Sequence, residues 1–429
     1  MKKYEILTDD DSLCKTINKD ILHRNIRIIN LMTFLNYVNE NFIMSIDGEW
    51  GTGKTFFVKQ MIYLCKNFQK VDNYTINSNK KIIDAFSKKH LVVYYNAWEN
   101  DNHEEPLESL IYNILNEYPK YKEKIENLEE IFNTVKPILK NVIEKLTSGI
   151  ISKDCFENFK SFEDLAESIV TIEEKQEALN KLLDMLMNDN ERILLIVDEL
   201  DRCKPDYAVK LLEVLKHFYT NSKLTIIVVT NNRQLSYTIK KYYGNDFDGY
   251  GYLNKMYDTV FTLEVDRLEN YIREYCEILY STYLPHDTSY ELFQFLKFSY
   301  RECNKYMSMY RIVENYIDYY QDKFLFESCI LLPFTLALKV KNINDYNKFI
   351  IGNGKTLINE FIDFVARNNE KYYNWLIDIL EVKENENLPE KFLAKYLQVF
   401  STDKFYNKYP YFEAISMLGN FIVFNDNEN

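Results

Sequence analysis

The chain has 429 residues, 46% of them hydrophobic, enough material for two or three domains with sizeable cores. Its 52 basic and 65 acidic residues leave a net charge of −13, a balance that argues against broad, sequence-independent nucleic-acid binding. Seven cysteines without a CxxC pair, and five histidines that cluster neither together nor with cysteines, point to reduced thiols and away from a disulfide framework or a zinc site.

Residues 1–40 read as polar and helical, with Ile21, Ile28, Leu31, Leu35 and Val38 forming an amphipathic stripe. No apolar stretch typical of a signal peptide occurs in the leading MKKYEILTDDDSLCK, so a cytoplasmic protein is expected. FIMSID at 42–47 is a short apolar strand, Gly48–Thr55 a glycine-rich loop and Phe56–Cys65 a helix. HLVVYYN at 90–96 is a second strand, and Pro106 opens another helix. A charged, helical insertion covers about 105–190. Its most apolar part, 135–151, carries Lys136, Lys140, Glu144 and Lys145, which makes it amphipathic. Nowhere do 18 consecutive apolar residues occur, so no transmembrane helix is expected.

ILLIV at 193–197 is a buried strand that ends at Asp198-Glu199, and a helix follows over Pro205–Tyr219. LTIIVV at 224–229 is another buried strand, ending at Thr230-Asn231-Asn232. The helix Gln234–Tyr243 and the loop Gly244–Gly251 lead to a last strand at Val260–Val265. Apolar strands alternating with helices predict an α/β core: a parallel sheet covered on both faces. From Asp266 onward helical periods dominate. The expected organisation is a helical leading segment at 1–40, an α/β core at 41–265 with its insertion, and an all-helical C-terminal domain at 266–429.

Gly48-Glu49-Trp50-Gly51-Thr52-Gly53-Lys54-Thr55 fits GxxxxGK[ST], the P-loop of nucleoside triphosphatases. Glycines let such a loop wrap so that backbone N–H groups point at phosphate oxygens, and the following helix adds its positive end. Lys54 is expected to reach the β- and γ-phosphates, Thr55 to bind Mg²⁺, and the contact set to run through Phe56. In ILLIVDELDR, Asp198 is expected to hold Mg²⁺ mostly through water, and Glu199 to orient and deprotonate the attacking water. Arg202 has two roles open to it: facing a γ-phosphate in a neighbouring subunit, or fixing Glu199. Thr230 and Asn231, at the end of the next strand, are candidate sensors of the γ-phosphate. Arg301 and Arg311 are candidates for closing over nucleotide from the helical domain. Trp98, at the end of the second strand, reads as a core residue.

These residues resemble the KAP P-loop NTPases. GEWGTGKT is similar to that family's G-x-W-G-[ST]-G-K-[ST], YYNAWEND to its F-N-A-W segment, and VDELDRC to its D-D-L-D-R-C. Leu235, YYG and YLNKMYDTVFTLEV are similar to its stretch from the sensor strand to a final strand. DILHR, Asp20 to Arg24, resembles a short segment that lies near the nucleotide in this family, which makes Arg24 a candidate nucleotide contact. Arg301 sits in a segment similar to the family's helical S-x-R pattern. The resemblance covers roughly 20–310. It implies an α/β core of the additional-strand, catalytic-glutamate type that binds and hydrolyses ATP with Mg²⁺. Many members carry membrane helices where this chain has its polar insertion, and prokaryotic members include antiphage defence components. Two further departures are Glu199, where the family often has Asp, and Asn231, where Asp is common.

The leading expectation is a soluble ATPase switch, a homo-oligomer that passes its output to a separate effector or sensor protein. The alternative is a non-catalytic, nucleotide-stabilised scaffold that recruits an effector. A nucleic-acid motor is the third, disfavoured by the acidity and by the lack of a basic, aromatic-laced segment. ATP is preferred over GTP by resemblance, and because Asn254-Lys255-Met256-Tyr257 lacks the Asp of a guanine-recognition motif.

Overall fold

Three continuous apolar runs become the centre of a five-stranded sheet in the computed structural model. It describes residues 7–103, 105–121, 180–184, 186–187, 191–218, 221, 223–265, 268–275, 285–317 and 325–400. The chain divides into two compact units, one spanning Thr8–Glu264 and the other built on Val265–Asn429. In the first, strands β1 (Phe42–Asp47), β2 (His90–Asn96), β3 (Arg192–Asp198), β4 (Leu224–Thr230) and β5 (Thr259–Thr262) lie in the order β2-β3-β4-β1-β5. All four pairings are parallel. Every residue of β3 and β4 is buried, as expected of strands covered on both faces. The last strand ends at Thr262, short of the Val265 expected from its apolar run.

The register fixes what stands at the carboxyl edge. Asp47 lies opposite Thr230, and Asn96 opposite Asp198. Parallel sheets bind ligands at this edge. Helices α1 (Asp10–Lys19) and α2 (Asn25–Tyr37) belong to the same unit as the sheet. The turn between them places Asp20 in the left-handed region at φ 47°. α3 (Lys54–Asn67) starts inside the glycine-rich loop and lies against β5, with Phe57 stacked on Phe261 at 5.8 Å. α4 (Tyr74–Ser78) and α5 (Lys80–Lys89) lead into β2. α6 (Pro106–Tyr121) and α7 (Pro205–Phe218) supply Leu110, Ile111, Leu211 and Leu215 to one core with Val93, Leu195 and Ile226. Of the insertion expected at 105–190, residues 122–179 lie outside the described residues.

α8 (Asn232–Tyr243) is followed by α9 (Gly249–Met256), which begins inside the stretch expected to be a loop. Asp248 caps it by accepting the Gly251 N–H at 2.8 Å. A Cβ at Gly249 would meet the Ser236 carbonyl at 2.2 Å, so glycine is what lets the two helices approach. The regular elements described in the second unit are all helices, including Tyr300–Ile317 and Leu332–Lys341. Phe334 is central to its packing, stacking on Phe349 at 5.4 Å and meeting Phe361 edge-on at 4.8 Å. No helix among the described residues is long and apolar enough to cross a membrane.

Candidate functional site

β1 delivers the chain to the glycine-rich loop, and α3 takes it away with the loop's last two residues as its first turn. Gly48 must be glycine: a Cβ there would lie 2.6 Å from the Leu263 carbonyl oxygen. Gly53 has φ 80°, in the left-handed region that favours glycine. Thr52 folds inward, its hydroxyl donating to the Glu49 carbonyl at 2.9 Å. Lys54 bends back over the loop, and its ammonium donates to the carbonyls of Gly48 at 2.5 Å and Glu49 at 3.1 Å. Burial lowers its pKa, while the charges of Asp201, Asp198 and Asp47 favour the protonated form. Glu49 and Trp50 are exposed, Gly51 and Thr55 half-buried, and Phe56 is buried against the core.

Asp198, at the end of β3, is 1% exposed. Its carboxylate accepts from the Tyr94 hydroxyl at 2.9 Å and from the Glu199 N–H at 2.8 Å, and the neighbouring Thr55 side chain favours its charged form. Burial raises its pKa, against those hydrogen bonds and the positive charge of Lys54. Tyr94 in turn carries the Lys59 ammonium 3.2 Å from its ring centre. Neither Tyr94 nor Lys59 was among the expected site residues. The strand alternation held the signal for Tyr94: two residues before Asn96, it shares the face of the residue that pairs with Asp198.

Glu199 has φ 61°, a left-handed conformation that costs a non-glycine residue on the order of 1–3 kcal/mol and that clusters at functional sites. Its carboxylate meets the Arg202 guanidinium at 3.0 Å. Of the two roles open to Arg202, this contact matches the fixing of Glu199. The same guanidinium lies 5.7 Å from the Trp98 ring centre. Trp98 is 50% exposed, which corrects the expectation that it is a core residue. Its ring stays at the surface because Asn96 turns the chain sharply, accepting the N–H groups of Trp98 at 3.1 Å and Glu99 at 3.4 Å. Trp50 reaches across from the loop, and its indole N–H donates to Asp201 at 2.5 Å.

Thr230 is fully buried at the carboxyl end of β4, and its hydroxyl has no hydrogen-bond partner among the described residues. Asn231 caps α8, its side chain accepting the Gln234 N–H at 3.2 Å. Asn232, next to it, donates its N–H to Asp47 at 2.9 Å and accepts from Ser45 at 3.1 Å. Arg24 is 1% exposed, and its guanidinium donates to the loop carbonyls of Thr52 at 2.5 Å and Gly53 at 2.9 Å. Arg301 is an exposed residue and Arg311 a half-buried one on Tyr300–Ile317, in the other compact unit.

The loop, the buried acid and the orphaned hydroxyl thus meet at one sheet edge. The donors there are oxygens (Thr55 and Asp198), which suit a hard cation such as Mg²⁺ rather than a soft metal. The family model described as the KAP family P-loop domain matches residues 24–310, more than half of the chain. No curated protein matches it.

Proposed function

The chain belongs to the KAP family of P-loop NTPases, and on that premise we propose that it binds Mg²⁺-ATP at residues 48–55 and hydrolyses it as a nucleotide-driven switch. The observation that carries this reading is the juxtaposition of Thr55 with the buried carboxylate of Asp198, at the end of a strand separated from β1 by β4. That intervening strand supports the additional-strand, catalytic-glutamate type. Residues 105–190 are its proposed helical insertion.

When bound, ATP presents a transferable phosphoryl group, and Mg²⁺ neutralises charge on its oxygens. Lys54 exchanges the carbonyls of Gly48 and Glu49 for phosphate oxygens. The backbone N–H groups of Gly51, Gly53 and Lys54 line the phosphate side of the loop. Thr55 and Asp198 hold the cation. Glu199 accepts the proton of the attacking water, and Arg202 fixes its carboxylate. Thr230 donates its free hydroxyl towards the phosphate side.

Resemblance to prokaryotic defence members is the argument for an antiphage role, with a homo-oligomer and a separate effector as partners. Titration calorimetry of Mg²⁺-ATP into the chain and into Lys54→Ala tests the binding half of this proposal. Saturable binding that the substitution removes is expected; no binding to the parent overturns the proposal. A scaffold without turnover is the second reading, favoured by one contact: the Glu199 carboxylate is already engaged by Arg202. Turnover separates the two.

A further inference from the structure

We infer that Arg24 is a positioning residue, a clamp behind the phosphate loop that aims the N–H groups of Gly53 and Lys54 at phosphate. The inference rests on the nucleotide-binding reading given above. Its geometry is specific. The two guanidinium nitrogens hold the carbonyls of two successive peptide groups, Thr52 through Nη2 and Gly53 through Nη1. A trans peptide is planar, with its C=O and N–H pointing in opposite directions. The Thr52 carbonyl shares its plane with the Gly53 N–H, and the Gly53 carbonyl shares its plane with the Lys54 N–H. Drawing both carbonyls towards Arg24 therefore turns both N–H groups away from it, to the loop's other face. The Gly53 carbonyl is held a second time, by the Phe57 N–H at 3.0 Å.

Arg24 is itself rigidly placed. Its N–H and that of Asn25 both donate to Asp20, at 3.0 and 3.1 Å, on the left-handed turn that ends α1. At 1% exposure the guanidinium is out of water, where a hydrogen bond from a charged donor is strongest. Gly53 suits this close approach: a Cβ there would lie 3.0 Å from Arg24 Nη1, a tight contact, and its φ of 80° favours glycine as well. The planar fork meets the two carbonyls with two nitrogens fixed in one plane, one to each, whereas a lysine at this position would have to reach both from a single nitrogen. This reading replaces direct contact between Arg24 and nucleotide with contact through the loop backbone.

Arg24→Lys separates the clamp from a contact to base or ribose. A residue touching the base would alter the preference for ATP over GTP, one touching the ribose would weaken both nucleotides alike, and either would leave inorganic tripolyphosphate untouched. A clamp acts on the phosphates alone. Titration calorimetry of the full chain should therefore show Mg²⁺-ATP and Mg²⁺-tripolyphosphate weakened by the same factor in Arg24→Lys, roughly tenfold or more. The ATP-to-GTP preference should stay at the parent value. Asp20→Asn, which loosens the turn holding Arg24, should give a smaller loss of the same pattern. Thermal unfolding without ligand reports whether each variant is folded. A folded Arg24→Lys that binds tripolyphosphate like the parent, or that changes the ATP-to-GTP preference, overturns the clamp. A parent that binds neither ligand overturns the nucleotide-binding reading itself.

Discussion

The indole N–H of Trp50 donates to the carboxylate of Asp201 at 2.5 Å, joining the phosphate loop to the turn that follows the acidic strand. The same short turn carries Glu199 and Arg202, so loop and proposed water-activating group are tied by one side-chain contact. Motion of the loop on binding phosphate would be felt two residues from Glu199.

Trp50→Phe keeps a ring and deletes the donor. Trp50 is 48% exposed, so the loss of stability should stay within about 1 kcal/mol, as for other exposed hydrogen bonds. ATP affinity should fall several-fold, because the loop loses its tie to the Asp201 turn. Calorimetry and denaturant unfolding check the two halves. Unchanged affinity would show that the tie is incidental.

Arg202→Ala removes the guanidinium that meets the Glu199 carboxylate, whose side chain is 15% exposed. Roughly a tenfold fall in kcat is expected, with nucleotide affinity unchanged, because the pair orients a group that acts on water and not on bound ATP. Steady-state kinetics alongside binding data decide it. An equal loss in affinity would place Arg202 on the phosphates instead.

Tyr94→Phe removes one of the hydrogen bonds that hold the Asp198 carboxylate. The Mg²⁺ concentration needed for half-maximal ATP binding should rise several-fold, the equivalent of about 1 kcal/mol. A Mg²⁺ titration at fixed nucleotide measures it, and no shift would detach Tyr94 from the metal site.

His90 makes stability acid-sensitive. It lies buried against Phe86, whose ring is 4.4 Å away and whose carbonyl is 3.1 Å from Nδ1. Burial is the main cause that lowers its pKa to about 4, with the nearby charges of Lys89 and Arg192 acting in the same direction and the Phe86 hydrogen bond opposing them. A histidine whose folded pKa lies below its unfolded value binds its proton more tightly when unfolded. Its contribution is therefore complete above about pH 6.5 and is lost as pH falls towards 4, by at most about 3 kcal/mol. Denaturant unfolding of parent and His90→Gln between pH 7 and 4.5 should show a shallower acid loss in the variant.

The strands were legible because β3 and β4 are unbroken apolar runs, and the phosphate loop because its glycines and lysine have fixed spacing. α9 was not: its glycines read as a loop, while the Asp248 cap and the close approach to Ser236 make a helix of it. α4 and α5 went unassigned in a polar stretch where Asn73 supplies the start by accepting from Thr75 and Ile76. In the site, Lys54, Asp198 and Glu199 announce themselves by motif. Arg24 was legible as a candidate and not as a partner of the loop backbone, since contact across 28 residues is a property of the fold. Asn231 reads as a candidate sensor because it follows a strand. Its side chain is a helix cap, a role any strand-to-helix turn asks of that residue type.

Phosphate release from Mg²⁺-ATP by the purified chain, beside Lys54→Ala and Glu199→Gln, tests the central claim most directly. The account predicts turnover in the parent, its loss in both variants, and retained ATP binding in Glu199→Gln alone. A parent that binds ATP without releasing phosphate, or a Glu199→Gln variant that turns over like the parent, would contradict it.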